Sequence, residues 1–249
     1  MSGIVLRVAH LYPRLMNIYG DRGNIMTLRH RTEARGIRFE LTDLSRGDRF
    51  DPKAYDLVFA GGAQDREQRA VAEDLLATKA GALRDAVDDG RIALLAVCGA
   101  YQLFGRFYRE STGAELPGAG IFDLYTEHPG PGAKRLIGNI VAKAMMDEGL
   151  RLTVVGFENH GGRTRLGPGV RPFATVRHGF GNNGEDKTEG ARYRNAIGTY
   201  IHGSLLPKNP ALADEVIRRA LSWRYGDVEL ASLDDRAEWR AHRAALTLR

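Results

Sequence analysis

The chain has 249 residues, of which 43% are hydrophobic, 27% charged and 8% aromatic, with a formal net charge of +5 and a pI near 9.4. These proportions predict one α/β domain over 1–249, cytoplasmic, because no basic–apolar–small leader opens the chain and no apolar run approaches the ~18 residues of a membrane span. One cysteine excludes an internal disulfide and argues against a thiolate zinc site, and charges of alternating sign, as in Arg66-Glu67-Gln68-Arg69 and Asp234-Asp235-Arg236, describe solvated helix faces rather than a nucleic-acid surface.

In chain order, the runs 4–8, 37–41, 56–60 and 92–97 are short, apolar or β-branched, and closed by turn residues, so they predict strands. Helical stretches lie between them at 24–35 and 66–88, the second ending at Gly90 as a C-cap. Strand alternating with helix predicts a parallel sheet covered on both faces. The second half changes character. Strand-like runs at 121–126, 136–143, 152–157 and 170–176 follow one another across Gly/Pro turns without helices, which predicts an antiparallel extension at one sheet edge. The polar, glycine-rich stretch 179–190 reads as a mobile surface loop, a candidate for contacting a partner or shielding a site. A strand at 196–201 and a helix at 209–225 started by Pro210 come next, and the tail 226–249 is read as carrying a peripheral helix at 232–248.

The chemistry concentrates where strand 92–97 runs into Cys98-Gly99-Ala100-Tyr101-Gln102. A strand, a nucleophile, small residues and then a helix form a nucleophile elbow. Ligands collect at the carboxyl ends of strands in open α/β sheets, and a helix N-terminus favours a thiolate. A lone cysteine is otherwise a small buried hydrophobe; this context favours a nucleophile. His202 ends strand 196–201 and precedes Gly203, which puts it on the same rim, where a neutral imidazole can move the thiol proton. His160, in Glu158-Asn159-His160-Gly161-Gly162, competes for that role. Gly61-Gly62 closes strand 56–60, and the Gly62 amide with that of Gly99 can form an oxyanion hole. There is no G-x-x-x-x-G-K-[ST] loop, no H-E-x-x-H and no clustered metal ligands, so no site for ATP cleavage is expected.

Taken together, the motifs resemble the GatD-type glutaminase subunits of the cobyric-acid-synthase-like branch of class I glutamine amidotransferases. The segments that carry this are 11–13 with 15–24 (Leu-Tyr-Pro, then Leu-Met-Asn-Ile-Tyr-Gly-Asp-Arg-Gly-Asn), Gly61-Gly62-Ala63-Gln64-Asp65, Ala96-Val97-Cys98-Gly99-Ala100-Tyr101-Gln102, 156–162, 181–186 and 198–210. The resemblance implies a flavodoxin-like, doubly wound class I fold. It implies Cys98 as nucleophile, His202 as general base, and Arg135 and Gln102 at the glutamine substrate. An arginine suits a carboxylate because its guanidinium can grip both oxygens. It further implies a heterodimer with a MurT-type, Mur-ligase-like subunit that holds ATP and Mg and takes up the ammonia. That pair amidates the α-carboxyl of D-glutamate in the lipid II stem peptide to D-isoglutamine. No cofactor, nucleic acid or stable membrane insertion is implied for this subunit.

Two departures from the wider class stand out. Ala100 replaces a glycine often found two residues after the cysteine, which is tolerable where the local φ is negative. Ser204 stands where an acid usually follows the histidine by two. The third member of a triad is then Glu158, an acid of the partner, or nothing beyond a Cys–His dyad. The residues also admit a glutaminase serving another acceptor, such as a cobyrinate-type corrinoid, or a catalytically silent partner-binding scaffold.

Overall fold

The computed structural model describes residues 3–146 and 149–248. In its first half β1 (Val5–Leu11), β2 (Arg38–Leu44), β3 (Leu57–Ala60) and β4 (Ala93–Val97) are separated by α1 (Arg22–Glu33), then by α2 (Asp65–Thr78) and α3 (Ala80–Asp88). A short α4 (Gly99–Leu103) follows β4 directly. The second half holds β5 (Phe107–Arg109), β6 (Glu115–Pro117), β7 (Leu124–Glu127), β8 (Leu136–Met145), β9 (Arg151–His160), β10 (Arg163–Leu166), β11 (Ala174–His178) and β12 (Thr188–Glu189). It closes with β13 (Ala191–Tyr193), β14 (Ala196–Thr199), α5 (Pro210–Tyr225) and α6 (Arg236–Thr247).

The central sheet has the order β13-β14-β4-β3-β1-β2 and is parallel except for β13. Its inner strands are buried on both faces, which is why β3 and β4 read as unbroken apolar runs. Leu6, Val8, Phe59 and Leu95 pack toward Ile25 and Leu28 of α1 and Val216 of α5. Ala9, Val58, Leu94 and Ala96 face Val71, Leu75, Leu83 and Val87 of α2 and α3. Helices thus cover both sides, as the strand–helix alternation predicts.

The antiparallel material is arranged differently from the expected edge extension. Only β13 continues the central sheet; the other strands form two separate four-stranded sheets, β10-β7-β5-β6 and β12-β11-β8-β9. The three-residue β13 hairpin already occupies the sheet edge, and the ten-residue β8 and β9 turn Ile140, Ala142 and Val154 into the same core as α5. The helix predicted over 66–88 is two helices, broken at Lys79 with φ −133°. Its buried ammonium is drawn to Asp74 Oδ2 at 2.6 Å and lies over the Tyr12 ring. The stretch 179–190 reaches the surface at 179–180 and 184–187 as expected, but it is anchored: Asn182 and Asn183 are buried, and Asn182 bonds Tyr101, Thr188 and Gly190. The C-terminal tail does form a helix, α6, which packs on the turn at 206–208 through His242 Nδ1 and the Lys208 carbonyl, 2.7 Å apart. Among the described residues no helix is long and apolar enough to cross a membrane.

Candidate active site

The elbow is strained in the way a presented nucleophile requires. Cys98 has φ +54° and ψ −109°, a conformation that costs an L-residue on the order of 1–3 kcal/mol. Its amide is fixed to the Thr199 carbonyl of the neighbouring strand at 2.8 Å. Gly99 has to be glycine, because a Cβ there would lie 2.7 Å from both N and O of Ala63. Ala100 lies inside α4 with no positive φ, so its methyl fits without strain.

Because β4 and β14 are parallel neighbours, with Val97 paired to Thr199, Cys98 and the segment leading to His202 leave the sheet on one rim. His202 is fully buried, exchanges backbone hydrogen bonds with Phe157 of β9, and packs edge-on against its ring. Beyond it, Ser204 also has a positive φ, +50°, and donates its hydroxyl to the Gly20 carbonyl at 2.7 Å.

Cys98 opens onto a cavity of about 500 Å3 whose wall includes Ala63, Gln102, His128, Arg135 and His160. The Arg135 guanidinium is held by Asn159, with Nε 2.7 Å from Oδ1 and Nη2 2.9 Å from the carbonyl. Its positive charge acts on both the Cys98 thiol and the His202 imidazole. Gln102 is buried, donates to the Tyr200 hydroxyl at 3.1 Å and accepts from Gln68 at 2.9 Å. The Tyr200 hydroxyl continues to Thr164, so one polar chain braces this wall. His160 stacks flat on the Tyr200 ring, centroids 3.6 Å apart. The Glu158 carboxylate accepts the amides of Phe180 and Gly181 and lies 3.6 Å from His160 Nε2. Glu158 therefore reaches the cavity through His160, and it anchors the stretch expected to be mobile.

Electrostatics correct one expectation and redraw another. Burial pushes the Cys98 thiol up to about 12, with the negative charge of Asp21 adding to it and the Gly99 amide and Arg135 opposing. The helix N-terminus does not ionise the sulfur at rest. The reason is that α4 is only five residues long, while desolvation of a buried thiolate is large. Burial, with the nearby charges of His160, Lys208 and Arg135, holds His202 down to about 4. The resting pair is neutral, which suits an imidazole waiting to take a proton.

The predicted oxyanion donors divide. The Gly99 amide points at the sulfur. The Gly62 amide instead donates to the buried Asp21 Oδ2 at 2.5 Å, so in this arrangement Gly62 does not offer its N–H to the cavity. Sequence reasoning did not single out Asp21, Gln68, Tyr200 or Thr164; the only trace of Asp21 was its place in the motif 15–24. Among the described residues no group of three or more His, Cys, Asp or Glu side chains is placed to hold a metal.

Known proteins resemble this chain in sequence and in fold. The CobB/CobQ-like glutamine amidotransferase domain family matches residues 7–210. The chain is 40% identical over 231 residues to the lipid II isoglutaminyl synthase (glutamine-hydrolyzing) subunit GatD of Streptococcus pneumoniae, covering 92% of this chain and 86% of that one. It is 38% identical to the subunit of the same name from Staphylococcus aureus, over 95% and 93% of the two chains. The glutaminase domain of Trypanosoma brucei CTPS with bound acivicin shares the fold, with a TM-score of 0.56 at 12% identity over 91% of this chain and 98% of that one.

Proposed function

This chain belongs to the CobB/CobQ-like glutamine amidotransferase family, and on that footing we propose that it is the glutamine-hydrolysing subunit of a lipid II isoglutaminyl synthase. The observation that carries this reading is Cys98, strained at a strand–helix elbow and opening onto a polar cavity with Arg135 on its wall. A cavity of about 500 Å3 is ample for one glutamine.

In this reading Arg135 grips the α-carboxylate of L-glutamine, and Gln102 shapes the wall against which the side-chain amide lies. Cys98 Sγ attacks the amide carbon while His202 takes the thiol proton. Two backbone N–H groups at the elbow and its facing turn stabilise the oxyanion. His202 then passes that proton to the amide nitrogen, the C–N bond breaks, and ammonia leaves a glutamyl thioester. Water attacks the thioester, its proton returns through His202 to sulfur, and glutamate departs. Keeping both groups neutral at rest protects the sulfur from adventitious chemistry until substrate is seated.

The ammonia passes to a MurT-type, Mur-ligase-like subunit that binds ATP and Mg and works in the cytoplasm. There it amidates the D-glutamate α-carboxyl of the lipid II stem peptide. The test is co-expression with such a ligase and assay on a lipid II-like acceptor. The wild-type pair uses glutamine, whereas Cys98→Ala amidates only when ammonium is added. Normal use of glutamine by Cys98→Ala would overturn the mechanism.

A further inference from the structure

Asp21 is fully buried, yet it takes no part in the steps above. Its Oδ2 lies 2.5 Å from the Gly62 nitrogen, and among the described residues its Oδ1 accepts no hydrogen bond. Gly61 makes room for it: a Cβ there would come within 2.8 Å of Oδ2 and 2.9 Å of the Asp21 Cβ. The segment carrying Asp21 is pinned on both sides. Asn17 Oδ1 accepts the Arg22 amide at 2.8 Å, and Asn24 Oδ1 accepts the Leu206 amide at 2.8 Å, just beyond the His202 turn.

The next peptide along the turn is oriented as a consequence. The Gly62 carbonyl accepts the Ile18 amide at 3.2 Å. In a trans peptide C=O and N–H point in opposite directions, so the Ala63 N–H is turned away from Ile18. Ala63 lines the cavity with Cys98, and its nitrogen sits against Gly99, the first residue after the nucleophile. Among the described residues no protein acceptor takes the Ala63 N–H.

We propose that Asp21 is a positioning residue that holds the Gly62–Ala63 turn so that the Ala63 N–H, rather than that of Gly62, joins Gly99 N–H in binding the oxyanion. This rests on the glutaminase reading above and assigns the donor within it. No hydrogen bond joins Asp21 to Cys98 among the described residues; its charge reaches the sulfur through space, and its hold on the oxyanion donor runs through the peptide it fixes.

The experiment measures kcat and KM for glutamine hydrolysis by the full chain, alone and with the co-expressed ligase, in three variants. Ala63→Pro deletes one N–H, and kcat is expected to fall ~100-fold or more at little-changed KM. Its Cys98 should still react with chloroacetamide within about 2-fold of wild type, since sulfur reactivity does not need the oxyanion donor. Asp21→Ala releases the turn and lowers kcat ~100-fold. Asp21→Asn restores most of that loss, because its amide oxygen can accept the same Gly62 N–H. The proposal is overturned if Ala63→Pro turns over like wild type, if Asp21→Ala keeps or gains kcat, or if Asp21→Asn is as damaged as Asp21→Ala. Should Ala63→Pro not fold, the two Asp21 variants decide. Wild type releasing no ammonia from glutamine, alone or paired, would overturn the glutaminase reading and this inference with it.

Discussion

Two of the regions that bury charged side chains treat them in opposite ways. Between α1, α5 and the approach to α6, cation meets carboxylate. Arg31 bonds Asp214 at 2.7 Å and Asp235 at 2.6 Å, Arg35 bonds Asp214 at 2.8 Å, and Arg219 bonds Glu215 at 2.6 Å. At the rim, by contrast, Asp21 and Glu189 are buried against neutral donors. These are the Gly62 amide for Asp21, and the Thr199 hydroxyl with the Tyr200 amide for Glu189. Burial raises both carboxyls to about 7. Opposite charge makes ionisation permanent and the contact structural. Neutral donors leave a carboxyl able to change state near neutral pH, beside the chemistry.

The sharpest way to break this comparison is at Arg31. Arg31→Ala strips Asp235 of this buried partner and leaves Asp214 to Arg35, with both carboxylates partly exposed, and a loss of about 3 kcal/mol is expected. Thermal melting should show a drop of roughly 6–12 °C, with kcat/KM unchanged at temperatures where the variant is folded. Activity falling in step with melting temperature would join the two regions. Next in size is Arg135→Ala. Charged hydrogen bonds contribute about 1.5–3 kcal/mol each, so KM for glutamine should rise ~10- to 100-fold while kcat holds. Arg135→Lys should recover part of this, having lost the flat two-pronged grip. A fall in kcat alone would move Arg135 from binding to the reacting atoms.

The smallest effect tests the rim directly. Glu189 is raised from 4.5 to about 7 in the folded chain. Between those values the folded state holds a proton the unfolded state has lost, so stability falls as pH rises through the window. Glu189→Gln removes that dependence. Its stability relative to wild type should improve by about 2 kcal/mol between pH 5 and pH 8. Parallel melting behaviour of the two proteins across that range would overturn the raised Glu189 titration.

Local signals in the sequence pointed to the parts of the site that local residues build. The run 92–97 into Cys98-Gly99 predicts the elbow because strand, turn and helix are contiguous there, and Gly90 ends α3 with φ +69° as a C-cap should. Pro210 starts α5 for the same reason. What stayed hidden depends on approach across the chain. Asp21 meets Gly62 from 41 residues away, and His160 lies on Tyr200 beside an isolated bridge between Phe157 and His202 that no periodicity reveals. Lys79 breaks a helix because of where Asp74 and Tyr12 sit. The sequence predicts a thiolate at Cys98 where the fold holds a neutral thiol, because a helix N-terminus is visible in the residues and the depth of burial is not.

Ser204 carries one more consequence. Its backbone turns the hydroxyl onto the Gly20 carbonyl, and a side chain on Gly23 would collide with it. A carboxylate grafted at 204 would thus be delivered to the 17–24 segment instead of the imidazole. A substitution at 204 would not by itself set an acid beside His202, and the segments 17–24 and 198–210 limit each other's side chains where they meet.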